Sequence, residues 1–283
     1  METKTTTPPP NISEFKSMIQ LLWASGCKEQ AFGYEQEAIK KWPDLNIGSC
    51  HTEEVLEKFI TVDEDMTRMK NDVRVLQGVN YPVLIRGETG TGKELIANAL
   101  HGSRGPIVEG QLTKGRFVAI NCPSLSVDLM QSTLFGHKKG AFTGAINDKI
   151  GAFQYAYKGT LFIDEVGDMP LSMQASLLRA LQEKKITPVG SNDEVDIDCR
   201  IVCATNKPLE AMVKAGEFRL DLLHRLNTFE LHTIPLRERL DDVALLIKKW
   251  DKRGGFKLTT GCLLEGNCRE LGSLITRWNV LGR

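Results

Sequence analysis

Between residues 81 and 234 the apolar positions follow two alternating rhythms. Apolar runs that read as strands fall at 82–86, 116–121, 160–164, 199–204 and 228–234, the last interrupted by Glu230 and His232. The runs at 82–86 and 199–204 read as buried strands. Between them the apolar residues recur at helical spacing over 93–101, 126–134, 171–183, 208–216 and 219–225. The alternation predicts a parallel sheet covered by helices on both sides. Upstream, 52–77 has a helical pattern interrupted near Val62 and Asp63; downstream, the chain from Pro235 is helical and suits a small lid. Residues 1–10 are rich in Thr and Pro, which predicts no fixed structure. Residues 14–42 have the pattern of two short helices broken at Gly26, with Phe15, Met18, Ile19 and Leu22 on one face and Ala31, Phe32, Ala38, Ile39 and Trp42 on another. The expected organisation is a tail and small helical extension over 1–50, an α/β domain over 51–234 and an abbreviated α-helical lid over 235–283. The extension is read as packing on the main domain, with a partner-docking hairpin as the alternative.

Composition narrows the picture modestly. A chain of 283 residues, 41% hydrophobic, is long enough to bury one large core. Its 36 basic and 36 acidic residues cancel, so global charge points to no polyanion. Residues 1–80 hold nine Lys/Arg against thirteen Asp/Glu, a poor balance for gripping DNA through its phosphates. Residues 207–283 hold fourteen against ten. The seven cysteines form no CxxC pair, and Cys199 and Cys203 sit in an apolar run, which predicts free thiols in a reduced cytoplasmic compartment. No stretch approaches the roughly twenty apolar residues needed to span a membrane, and no signal peptide opens the chain.

Candidate chemistry begins after the first strand run, at Gly87-Glu88-Thr89-Gly90-Thr91-Gly92-Lys93-Glu94. Strand, glycine-rich turn and helix in that order form a phosphate loop: the backbone N–H groups curl around one anion, the helix start adds positive potential and Lys93 adds a full charge. Such loops usually place Ser or Thr after the lysine as a magnesium ligand, whereas here Glu94 stands there. Magnesium would therefore lean on nucleotide phosphates, water and a carboxylate elsewhere.

That carboxylate is expected about seventy residues later, where the run 160–164 ends in Asp164-Glu165. Asp164 is assigned to hydrated Mg2+ and Glu165 to the attacking water as general base. The run 199–204 ends in Thr205-Asn206, either an ordinary strand exit or a sensor of the γ-phosphate; the two preceding motifs favour the sensor. Arg219 and Arg225 lie six apart, about 240° around a helix. They are solvated surface arginines, or fingers reaching a neighbouring subunit's nucleotide. Between these motifs, Gly140-Ala141-Phe142-Thr143-Gly144-Ala145 has neither core periodicity nor phosphate-binding character. An aromatic tip framed by glycines suggests a flexible loop that touches something else, and composition alone says no more.

Taken together, 87–94, the GAFTGA run 140–145, the GTLFIDE run 159–165, CATN at 203–206, FRLDLLHRL from Phe218 and PLRER at 235–239 resemble the AAA+ domain of bacterial sigma-54-dependent transcriptional activators. The similarity covers roughly 80–240 well, and GAFTGA is its discriminating motif. Glu94 after the loop lysine is also usual in that family. The resemblance implies an ATP-hydrolysing ring, usually a hexamer, whose Phe142 and Thr143 engage sigma-54 and remodel the closed complex of RNA polymerase. It implies that Asn121 restrains the catalytic Glu165 and that Arg219 and Arg225 act in trans. It also implies that Arg269 is a second sensor on the lid, and that 186–198 form a second moving loop beside GAFTGA. The interval from Arg239 to Gly266 is short for such a lid, and no DNA-binding domain is evident. The alternatives are a catalytically weak sigma-54-binding or co-assembling antagonist, or an AAA+ remodeller of another target.

Overall fold

The computed structural model describes residues 50–102, 107–108, 111–112, 115–258 and 264–282, so the tail and helix pair expected within 1–49 lie outside the described residues. Five strands make the central sheet: β1 Val83–Arg86, β2 Phe117–Asn121, β3 Thr160–Asp164, β4 Arg200–Thr205 and β5 Phe229–His232. They run parallel in the order β5-β1-β4-β3-β2. Nine helices are used below: α1 Cys50–Lys58, α2 Glu64–Leu76, α3 Lys93–His101, α4 Val127–Phe135, α5 Leu171–Glu183, α6 Leu209–Lys214, α7 Leu220–Leu226, α8 Leu240–Trp250 and α9 Asn267–Leu281.

The unbroken apolar runs have the expected physical cause. Leu84, Leu161, Ile163, Ile201 and Cys203 point into one core, beneath α4, α5, α6 and α7. Val83, Ile85, Phe162, Val202, Ala204 and Leu231 point into the other, beneath α1, α2 and α3. With both faces covered, the interior positions of β1, β3 and β4 need apolar side chains, whereas the edge strand β5 carries Glu230 and an exposed His232. A third cluster of Leu236, Val243, Leu246, Leu264, Leu271 and Ile275 joins α8 to α9, with Ile60 packed against it.

At the amino end of β4, the side chain of Arg200 is almost wholly buried. Its guanidinium donates to the carbonyls of Leu76 (2.9 Å) and Leu100 (2.7 Å), at the C-terminal ends of α2 and α3. A cation suits two helix C-termini, where unbonded carbonyls concentrate negative potential.

Register positions the site. Arg86 lies opposite Thr205 and Asn121 opposite Asp164, while Ile163 pairs with Cys203. The polar residues that end β1, β2, β3 and β4 therefore share the carboxyl edge of the sheet, where parallel sheets bind ligands.

Candidate active site

The loop from Gly87 to Lys93 leaves β1 and enters α3 through left-handed backbone at Gly90 (φ +81°) and Gly92 (φ +100°). At Gly90 space is limiting as well: an added Cβ would fall 2.2 Å from the carbonyl oxygen of Gly266. Lys93 is buried at the floor of the loop. Its Nζ donates to the carbonyls of Gly87 (2.9 Å) and Glu88 (3.2 Å) and lies 3.4 Å from Glu165 Oε1. The Thr91 hydroxyl is spent on structure, donating to the Glu88 carbonyl and hydrogen-bonded to Thr233 Oγ1 at 2.7 Å.

Across the cleft stand the two carboxylates. Glu165 has left-handed backbone (φ +51°), which turns its side chain towards the loop. One of its oxygens faces Lys93, and the other accepts the Asn206 amide at 3.1 Å. The Asn206 side chain donates to Thr89 Oγ1 at 3.3 Å, so it spans from the carboxylate to the phosphate loop. Asp164 is half-buried. Burial, and then the charge of Glu165, push its carboxyl above the ordinary range, while Lys93 pulls it back. Among the described residues no three His, Cys, Asp or Glu side chains cluster as a metal-binding group. A divalent ion at Asp164 would thus take most of its ligands from phosphate and water, which fits a chain with Glu94 in place of a hydroxyl.

Several expected roles land elsewhere. The Asn121 amide donates to Asp164 Oδ2 at 3.4 Å rather than to Glu165. Thr205 is buried, and its hydroxyl accepts the Lys207 amide at 3.0 Å, so it shapes the strand exit instead of facing the cleft. Glu88 contributes backbone to the loop, but its carboxylate turns away to Arg237 and Asn267. Those donors hold it at about 2, well below the usual carboxylate range. Arg219 pairs with Asp221 in its own chain, and Arg225 donates to the Leu181 carbonyl at the end of α5. Arg269 does lie at the loop: its Cβ is 3.3 Å from the position of a Gly90 Cβ, and the neighbouring Cys268 amide donates to the Gly90 carbonyl. Arg237 and Asn267 were given no role from sequence, although both sit inside the PLRER and GNCREL runs that flank the lid.

The stretch expected to be a flexible loop is a folded hairpin. Gly136–His137 pairs antiparallel with Lys149–Ile150, and Asp148 ties the turn by accepting from Lys138 Nζ and the Lys139 amide. The tip closes on itself through Gly140 N to Ala145 O and Ala145 N to Phe142 O. Phe142, 39% exposed, rests edge-on against His137 with centroids 5.0 Å apart, and Thr143 is exposed. A second hairpin, Lys185–Ile186 with Val195–Asp196, lies alongside: Lys138 N donates to Val189 O, and Val189 N to Gly136 O.

A parallel sheet in this strand order, with a lysine-bearing phosphate loop after β1 and paired carboxylates at the end of β3, defines an AAA+ α/β nucleotide-site fold. Within that class the chain belongs to the sigma-54 interaction domain family, whose model matches residues 59–232. It is 50% identical over 226 residues to the response regulator protein PilR of Pseudomonas aeruginosa, covering 75% of this chain and 49% of that protein. It is 43% identical over 240 residues to the formate hydrogenlyase transcriptional activator FhlA of Escherichia coli, covering 80% and 34% respectively. The crystal structure of NtrX from Brucella abortus in complex with ATP superposes with a TM-score of 0.68 at 29% identity, over 79% of this chain and 53% of that one. The chain thus spans about half the length of PilR and about a third of FhlA.

Proposed function

We propose that this chain hydrolyses Mg-ATP and uses the cycle to remodel the closed complex of sigma-54 RNA polymerase through Phe142 and Thr143. The observation that carries the reading is the meeting of Lys93, Asp164, Glu165 and Asn206 at one sheet edge, with a separate tip exposed at 142–144. Support comes from the family match and from relatives named as a response regulator and a transcriptional activator.

In this reading the loop amides and Lys93 bind the β- and γ-phosphates. Asp164 would hold Mg2+, which when bound would supply charge neutralisation at the transferred group. Glu165 takes the proton of the attacking water as the water oxygen bonds to the γ-phosphorus and the bond to ADP breaks. Asn206 keeps Glu165 aimed and senses the loop through Thr89. Asn121, on Asp164, holds the metal-side carboxylate. Arg219 and Arg225 exchange their internal partners for a neighbour's nucleotide in a ring, expected to be a hexamer, and Arg269 reaches the nucleotide from the lid. The protein works in the cytoplasm, where polymerase is found.

The route from site to tip is short and stiff. Glu165 leads through one turn into α5, whose far end enters the hairpin 185–196 that is hydrogen-bonded to the base of the Phe142 hairpin. Thirteen residues of helix make a rod of about 20 Å.

The test is open-complex formation with sigma-54 polymerase and purified protein. Promoter melting that needs hydrolysable ATP and disappears in Thr143→Ala, with turnover retained, is the expected result. Vigorous ATPase that never melts the promoter removes the target assignment. Absent turnover by the wild type favours the antagonist reading instead.

A further inference from the structure

The PLRER segment carries two arginines that tie the lid to the rest of the chain, in opposite environments. Arg239 pairs with Asp242 at 3.0 Å, with side chains 1% and 0% exposed. Asp242 also accepts the Thr61 hydroxyl and the Val62 amide at 2.7 Å each, fastening the start of α8 to the segment before α2. The Arg239 guanidinium lies over the Phe59 ring, and Phe59 in turn packs where a Gly92 Cβ would be. Separating that pair would strand charge in the interior, so it does not open in an ordinary cycle. Arg237, two residues earlier, makes a bidentate pair with Glu88 of the phosphate loop, and both side chains are 43% exposed. Water can replace either partner there at little cost.

Four more contacts close with that pair. Asn267 Nδ2 donates to Glu88 Oε2 and to the Thr89 carbonyl, its Oδ1 accepts the Leu236 amide, and the Cys268 amide donates to the Gly90 carbonyl. All of them join the phosphate loop, or the segment leaving β5, to the first turn of α9.

We infer that Glu88 and Arg237 form a breakable latch that holds the start of α9 down on the phosphate loop, that Arg239–Asp242 is the fixed fulcrum about which it opens, and that the latch sets how long nucleotide stays bound. Glu88 and Arg237 are positioning residues here: neither touches the reacting atoms. The inference rests on nucleotide occupying the Lys93 loop, as proposed above. An exposed ion pair is screened by salt, whereas the buried fulcrum is screened much less.

The test follows release of a fluorescent N-methylanthraniloyl ADP from the full chain at low and high NaCl. Arg237→Gln and Glu88→Gln are compared with wild type and with the charge exchange Glu88→Arg plus Arg237→Glu. Losing a bidentate charged pair is expected to speed release about fivefold at low salt. The single variants should lose part of the wild-type acceleration by salt, and the exchange should restore it. Hydrogen exchange at the Cys268 amide, measured without nucleotide, is expected to quicken in both single variants. Release rates and salt slopes equal to wild type overturn the latch, as does unchanged Cys268 exchange. If wild type fails to bind the probe, the nucleotide reading falls, and the exchange experiment alone decides whether the latch exists.

Discussion

At the scale of single residues, the proposed reaction separates side chains expected to bind from one expected to react. Glu165→Gln keeps an oxygen for the Asn206 amide but removes the base, so ATP turnover should drop at least about 100-fold while nucleotide affinity changes little, as steady-state and binding assays can compare. Asp164 gives a pH signature. Its carboxyl is raised by burial and by Glu165 and lowered by Lys93, so the acid limb of Mg-nucleotide binding should lie above the ordinary carboxylate range. The same variant, Glu165→Gln, should move that limb down; an upward displacement would refute the assignment. Because the folded state holds the Asp164 proton more tightly, this group's effect on stability is a loss as pH rises through its raised pKa. Glu88 has the reverse sign: its hold on Arg237 and Asn267 is complete above about 4.5 and disappears as pH falls through about 2. Mild acid should therefore leave the lid seated. Sequence was enough to expect Lys93, Asp164 and Glu165 beside one another, because glycine spacing and strand ends are local signals. It misplaced Thr205 and Asn121 because the direction of a strand-tip side chain depends on the turn beyond it, here the Lys207 amide and the position of Asp164.

At the scale of elements, α5 does most of the connecting. Gln174, fully buried at its core-facing side, donates to the Met169 and Glu217 carbonyls and accepts the Arg219 amide at 2.9 Å. It thereby fixes the start of α7, where Arg219 occupies the N-cap position. Gln174→Leu leaves the buried Met169 carbonyl without this partner, while the part-buried Glu217 carbonyl and Arg219 amide can turn to water; one unsatisfied buried group costs about 1–3 kcal/mol. Urea unfolding should show a loss in that range, and Arg219-dependent turnover should fall further than stability alone explains. Arg200→Met, which strips two helix ends of their charged donor, should cost about 2–4 kcal/mol in the same assay. Strands and helices of the sheet were legible to within a few residues, since burial on two faces and on one face leave different periodicities. β5, for example, was expected over 228–234 and occupies Phe229–His232. The hairpin at 136–150 was not legible, because its paired strands are two residues long and its order comes from Asp148, His137 and the neighbouring hairpin.

At the scale of the molecule, Arg219 and Arg225 are the residues whose expected work needs more than one copy. Light scattering with an ATP analogue should show a ring, and Arg219→Ala should bind nucleotide yet turn it over about 100-fold more slowly. Mixing Lys93→Ala with Arg219→Ala chains tests the shared site, since some interfaces in mixed rings pair an intact loop with an intact finger. Recovered turnover supports action across the boundary, and none argues against it. Among the described residues no helix is long and apolar enough to cross a membrane. The left-handed backbone at Glu165 has one more consequence. A non-glycine residue pays about 1–2 kcal/mol for that torsion, a strain held in place by the carboxylate's contacts with Lys93 and Asn206. Asparagine tolerates the same torsion with less strain, so Glu165→Asn should yield a chain at least as heat-tolerant as the natural one and chemically silent: thermal endurance and catalysis make opposite demands on one peptide unit.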